Sequence, residues 1–339
     1  MRYPNFLAPD GRIGFCAPSF GEAVEPYRSR CIAAAESFLD LGHPVVQSAS
    51  VFSNEKAQSN TATIRAAEFL SLYQNPEVDF VLSVGGGERM VEILPYIDFP
   101  KLSKLPPKFF MGFSDNTNLT FTLTTLCDIA SIYGLCATGF GMKPWDVSLI
   151  ESYEVMRGTR FNQDSFQAYQ AKEEKPGPGE ELLPYRFDTP VKWQTLDDSV
   201  ARMSGRLLGG CLDCLVTLTG THFDKVKEFN RKYKEDGILW YLESCDLNVF
   251  GVLRGLWQLK NAGWFNNASG FIFGRPMVNE TLMDVSYKDA VQEILGDMDV
   301  PVILDADFGH LPPNMTLING ACATITCSGG RGRIAMELK

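Results

Sequence analysis

Lys108-Phe109-Phe110-Met111-Gly112-Phe113-Ser114-Asp115-Asn116-Thr117-Asn118-Leu119-Thr120 is apolar up to Gly112 and then turns polar. Leu119, Leu123, Leu126 and Cys127 continue at helical spacing, so Ser114, Asp115 and Asn116 fall on a strand-to-helix turn. A serine on such a turn stands at the carboxyl end of a strand, close to the amide N–H groups that open the helix. A nucleophile and an oxyanion site can share that corner. The same residues also read as plain caps, with Ser114 or Asp115 accepting from the first-turn amides.

The chain before this turn alternates strand and helix. Arg12 to Ala17 is a short apolar strand broken by Pro18-Ser19-Phe20-Gly21, and Tyr27 to Leu41 carries Ile32, Ala35, Phe38 and Leu39 at helical spacing up to Gly42. A strand at Pro44–Gln47 completes a βαβ unit. Thr61 to Tyr73 repeats the helical pattern, and Val78 to Val84 is the continuous apolar run of a strand buried on both faces. Gly85-Gly86-Gly87 follows, then a helix predicted from Glu88 to about Leu94. With a further strand near Ile129–Leu135, the alternation predicts an open, largely parallel α/β sheet over residues 1–147. Working groups in such sheets gather at the carboxyl ends of strands, where both Gly85–Gly87 and Ser114 fall.

Residues 148–204 read as a connecting region. Its stretch Glu173 to Glu181 is polar, rich in Pro and Gly, and without periodicity, as an exposed loop would be. A second patterned unit, 205–339, has strands near Arg206–Leu208, Ile238–Leu242, Gly270–Phe273 and Val302–Leu304, helices near Leu212–Thr219 and Asn248–Ala262, and two strands in its tail.

Length and charge narrow the function. The 339 residues favour two domains over one core. Lys plus Arg number 31 against 41 Asp plus Glu, a net charge of −10, so there is no general attraction for phosphate backbones or anionic membranes, and nucleic acid is not expected as a partner. Neither a leader nor an apolar run of about 18 residues is expected, which implies a cytoplasmic protein. Nine cysteines in mostly apolar surroundings agree with reduced core thiols. Cys211-Leu212-Asp213-Cys214 is the only CxxC and reads as two helix neighbours; a zinc hydrolase built on it and one histidine is a weakly supported rival.

A serine nucleophile needs a base, usually a histidine held by a carboxylate. His43 sits at a strand entrance with a surface or capping role expected, and His222 follows a helix. His310 stands in a loop after the strand Val302–Leu304, as a base would. For the carboxylate, Glu243 ends the strand Ile238–Leu242, while Asp305 and Asp307 compete for the same role and Asp246 reads as a helix cap. Gly85–Gly87 can supply an oxyanion amide, cradle a phosphate, or form a tight turn. The Rossmann and Walker patterns are absent, and Glu88 puts negative charge at the helix start. A nonenzymatic two-domain module that holds a small anion at this loop is the rival from another class. The α/β-hydrolase elbow Gly-x-Ser-x-Gly is excluded, because Asn116 takes its fifth position.

Phe15-Cys16-Ala17-Pro18-Ser19, Leu82 to Gly87, Gly112 to Asn116, Gly205 to Leu212, Tyr241-Leu242-Glu243 and Phe308-Gly309-His310, in this order and spacing, resemble the serine peptidase family of LD-carboxypeptidases and microcin C self-immunity proteins along nearly the whole chain. The resemblance implies a flavodoxin-like, parallel-sheet N-terminal domain with Ser114 as nucleophile, and a smaller mixed α/β, β-rich C-terminal domain. It implies His310 as base and Glu243 orienting it, with the amides of Asp115 and of Gly86 or Gly87 as the oxyanion hole. It further implies a homodimer and chemistry that needs no metal or cofactor. Two substrate classes follow: the L,D bond of a muropeptide tetrapeptide, or the bond joining an aminoacyl or peptidyl group to a nucleotide sulfamate or phosphoramidate. Trp193 either stacks on a nucleobase or packs the connecting region onto the sheet. The family's glycine loop in the muropeptide branch typically reads Gly-Gly-Tyr-Gly before an arginine; here it is Gly-Gly-Gly-Glu-Arg-Met90, with Arg89 a candidate for a substrate carboxylate.

Overall fold

Short runs of bulky apolar residues set the strands of the first sheet. In the computed structural model, residues 1–172, 176–197 and 199–339 are described, so residues 173–175 of the exposed loop expected over 173–181 lie outside them. The chain divides into two units. One takes Met1–Arg160, Glu173–Tyr185 and Met315–Leu317; the other takes Phe161–Lys172, Arg186–Asn314 and Ile318–Lys339.

In the first unit the elements alternate as the sequence predicts: β1 (Ile13–Cys16), α1 (Tyr27–Asp40), β2 (Val45–Gln47), α2 (Ala62–Gln74), β3 (Phe80–Ser83), α3 (Phe99–Leu102), β4 (Phe109–Gly112), α4 (Thr117–Cys127), β5 (Ser131–Tyr133) and α5 (Val147–Met156). Every residue of β1, β3, β4 and β5 is buried, as strands covered on both faces must be. The Thr61 side chain accepts from the Ile64 amide and starts α2. The helix expected over Glu88–Leu94 is instead a 3-10 helix over Met90–Tyr96; Pro95 within it has no N–H to give to an α-helical ladder.

The five strands are parallel and lie in the order β2-β1-β3-β4-β5. This is the flavodoxin-like order, and it reverses direction at β1 and β3. Outside the carboxyl ends of these two strands an open sheet leaves a crevice. The segment from Ala17 to Glu22 follows β1, Gly85–Gly87 follows β3, and Ser114 follows β4 on the next strand over.

The second unit holds β6 (Asn162–Asp164), β7 (Ala168–Tyr169), β8 (Thr189–Pro190), β9 (Gln194–Thr195), β10 (Ala201–Cys211), α6 (Leu212–Leu218), α7 (Val226–Lys232), β11 (Ile238–Glu243), α8 (Val249–Asn261), β12 (Ala268–Gly274), α9 (Tyr287–Leu295) and β13 (Val302–Ala306). β14 (Leu317–Asn319) lies at the edge of the first sheet beside β5, and β15 (Cys322–Ser328) and β16 (Arg331–Glu337) close the chain. The second sheet has the order β6-β16-β15-β10-β11-β12-β13-β9, parallel from β10 to β13 and antiparallel at both sides.

Two strands make it mixed: β10, and on the other side β13, which is parallel to β12 and antiparallel to β9. The first half of β10 alternates buried and exposed residues and pairs antiparallel with β15; its second half is wholly buried and pairs parallel with β11. α8 buries Val249, Val252, Leu256 and Leu259 on one stripe, and the Asn248 side chain caps it by accepting from the Gly251 amide at 2.9 Å.

Candidate active site

The turn after β4 holds Ser114 at φ 61°, the left-handed region that a non-glycine residue enters at a cost of about 1–3 kcal/mol. Backbone of this kind holds a side chain in one fixed place at the end of a strand. The buried Tyr133 hydroxyl accepts from the Ser114 amide at 3.2 Å and helps to hold the turn. The residues at the N-cap positions of the short 3-10 helix Ser114–Asn116 and of α4, Phe113 and Asn116, make no side-chain cap. The Asp115 carboxylate reaches sideways: Oδ2 accepts from the Ser19 hydroxyl and from the Met90 amide at 2.8 Å, and Oδ1 from Asn118 Nδ2 at 2.9 Å. Burial pushes its pKa up against these donors. Asn116 Nδ2 donates to the Gly85 and Phe113 carbonyls, both at 2.9 Å.

The three glycines after β3 each face a different neighbour. A Cβ on Gly85 would run into Glu22 Oε1, and one on Gly87, where φ is +144°, would run into the Ser19 hydroxyl. A Cβ on Gly86 would sit 3.3 Å from Ser114 Cβ and 3.4 Å from Ser114 Oγ. The loop therefore lies against the serine through bare backbone. Arg89, at the end of this loop, gives its guanidinium to Glu92 Oε1 through Nε at 2.9 Å and Nη2 at 2.7 Å, and to the Lys56 carbonyl at 3.0 Å.

In the second unit β11 ends at Glu243, which is 1% exposed and is the register partner of Cys211 on β10. His310 Nδ1 lies 2.8 Å from Glu243 Oε2. With Nδ1–H donating to the carboxylate, the neutral imidazole keeps Nε2 as its acceptor. Gly274 and Gly309 make room for the pair: Cβ atoms there would lie 3.0 Å from Glu243 Cβ and 3.0 Å from Glu243 Oε2. Burial works against the imidazolium, but the Glu243 charge and the hydrogen-bonding contact with the Cys245 thiol outweigh it, and the His310 pKa is raised well above its ordinary value.

The competing carboxylates have other partners. Asp305 Oδ2 accepts from Gln194 Nε2 at 2.6 Å. Asp307 is ion-paired with Arg275 and accepts from Trp193 Nε1 at 2.9 Å and the Phe166 amide at 3.0 Å. Arg275 also donates to the Leu311 and Pro313 carbonyls at 3.2 and 3.4 Å, so one buried guanidinium fastens the loop on both sides of His310. Nothing about Arg275 in the sequence distinguishes it, since its role depends on which loop lies beside its strand.

Trp193 is 1% exposed, with its ring pressed on Gly332, where a Cβ would strike it. It packs the core of its unit and has no open face for a base. His43 is buried too, against the surface role expected for it: Nδ1 is 3.0 Å from the Gly11 carbonyl and Nε2 2.7 Å from the Tyr153 hydroxyl. His222 is exposed and lies against Phe223. Cys211 and Cys214 are hydrogen-bonded to each other, and among the described residues no three His, Cys, Asp or Glu side chains are grouped so as to hold a metal ion. No helix among the described residues is long and apolar enough to cross a membrane.

The profile described as the LD-carboxypeptidase N-terminal domain matches residues 13–134, and that of the LD-carboxypeptidase C-terminal domain matches residues 204–325. The chain is 23% identical over 320 residues to the microcin C7 self-immunity protein MccF of Escherichia coli, covering 92% of this chain and 89% of that one. It is 22% identical over 252 residues to the murein tetrapeptide carboxypeptidase of Pseudomonas aeruginosa, covering 74% and 71%. A solved structure of MccF in complex with glutamyl sulfamoyl guanosine has the same fold, with a TM-score of 0.81 at 20% identity over 99% of both chains. With profiles of one family matching both of its sheet-bearing regions, the chain belongs to the LD-carboxypeptidase family, which includes the MccF immunity proteins.

Proposed function

We propose that the protein is a serine-type hydrolase in which Ser114 attacks, His310 takes and returns the proton, and Glu243 orients the imidazole. The observation that carries this reading is the 2.8 Å contact from His310 Nδ1 to the buried Glu243 carboxylate, which leaves Nε2 as the proton acceptor. Ser114 Oγ bonds to the scissile carbonyl carbon while its proton passes to Nε2. The oxyanion is received by the amides of Asp115 and of Gly86 or Gly87. His310 then protonates the leaving amine, and water, activated by the same imidazole, releases the acyl group. The substrate is a small peptide cut at an amide near its C-terminus, the L,D bond of a muropeptide, in keeping with the family's name.

A second reading, an aminoacyl or peptidyl nucleotide conjugate as substrate, is favoured by the longer match to MccF, 92% of this chain against 74% for the murein enzyme. In either reading the protein works in the cytoplasm as a homodimer without metal or cofactor; support for that compartment is that all nine cysteines are free thiols.

A fluorophosphonate followed by peptide mass spectrometry tests the chemistry: Ser114 carries the label, and an unlabelled wild type, or a label kept in Ser114→Ala, overturns it. Incubation with a muropeptide tetrapeptide and with an aminoacyl sulfamoyl adenosine separates the substrates. D-alanine release selects the first and cleavage of the conjugate selects the second.

A further inference from the structure

Directly behind Glu243 the backbone turns through Ser244, Cys245, Asp246 and Leu247 to the start of α8. Three successive amides of this segment point at one side chain. Asp213 Oδ2 accepts from the Cys245 amide at 3.1 Å, and Oδ1 accepts from the Asp246 amide at 2.9 Å and the Leu247 amide at 3.2 Å. The Cys211 thiol adds a fourth donor to Oδ2 at 3.4 Å.

We infer that Asp213 is a positioning residue for the general base, acting through the segment 244–247 that it fixes behind Glu243 and that carries the Cys245 thiol against His310. The inference rests on the reading of His310 as the base. Asp213 follows β10 by two residues, and Cys211, the last residue of that strand, pairs in register with Glu243, so the carboxylate stands at the same end of the sheet as the site. Four donors need the lone pairs of two oxygens. A carboxylate offers them, whereas an asparagine in the same place would turn an NH2 group toward amide N–H groups. The held segment reaches the imidazole directly, since the Cys245 thiol is in hydrogen-bonding contact with His310. It is also anchored from the loop after β12, as the Met277 amide donates to the Ser244 carbonyl at 3.2 Å. A shift of this segment moves two of the groups that touch or flank the His310 ring, and a misplacement of about 1 Å at such a ring costs about 100-fold in rate.

A plain loop staple would give a different result, and two readouts separate the alternatives. Asp213→Asn and Asp213→Ala are made in the full chain with isotope-labelled histidine. The His310 titration is followed by NMR, the rate of fluorophosphonate labelling is followed against pH, and the melting temperature is recorded. The expected result is a lower His310 midpoint together with a plateau labelling rate reduced by about 10- to 100-fold, in a protein that still melts cooperatively. An unchanged midpoint and plateau, with only a lower melting temperature, overturns the inference. If the alanine variant does not fold, the nearly isosteric asparagine variant decides. If the wild type takes no label, the serine reading falls, and the NMR midpoint alone decides for or against Asp213.

Discussion

The His310 imidazole and the Glu243 carboxylate meet at 2.8 Å through Nδ1 and Oε2, with the glutamate side chain fully covered and the histidine side chain 13% exposed. Covering the carboxylate removes the water that would compete for it, so the pair has one geometry and one tautomer.

Glu243→Gln removes the charge that holds the imidazole upright. The expected loss is on the order of 10⁴-fold in kcat with little change in KM, measured by steady-state hydrolysis. Because the wild-type His310 pKa is raised above 6.5, its rate should climb with pH along a limb lying above that value, and the glutamine variant's limb should lie lower, where burial is opposed only by the Cys245 thiol. A limb that stays in place would contradict the pairing.

Glu22 lies under the glycine loop, 5% exposed, and burial pushes its pKa from 4.5 to about 7. A carboxyl that binds its proton more tightly when folded contributes stability that is complete below pH 4.5 and is lost as the pH rises through 7. The difference is about 3 kcal/mol across that window. Glu22→Gln should remove this dependence and melt higher than wild type at pH 8, as urea titrations at pH 5 and pH 8 will report.

Gly86→Ala brings a methyl group to 3.3 Å from Ser114 Cβ, at a position whose φ is not positive. The backbone tolerates it but the hydroxyl's surroundings do not. A fall of about 10²-fold in fluorophosphonate labelling, with a melting temperature close to wild type, is expected.

Trp193→Phe tests whether this ring packs or stacks. It removes the Nε1 donor to Asp307 and should lower stability by about 1–3 kcal/mol in denaturant titrations. KM for an aminoacyl sulfamoyl adenosine should stay unchanged; a selective rise in KM with stability intact would return the ring to substrate recognition.

The first sheet was readable because its strands are continuous apolar runs and its helices keep a 3.6-residue period, from Ile13 to Cys127. Glu243 was legible as the end of one strand and His310 as a loop residue after another, but their pairing came from the family resemblance, since Asp305 and Asp307 stand at the end of the strand that His310 follows. Their supports were not legible: Asp213, Arg275 and Tyr133 act across distances of 19 to 36 positions in the chain, and no local pattern records such partners. His43 was misjudged for a similar reason, since its partner Tyr153 is 110 residues away. Trp193 stayed open because an isolated tryptophan reads alike whether it packs or binds.

The tri-glycine loop also constrains inheritance. Any missense change in these three codons adds a side chain, and Glu22, Ser114 and Ser19 each stand where one of those side chains would go. Change in this segment is thereby left to the residues on either side of the glycines, whose side chains the fold already accommodates.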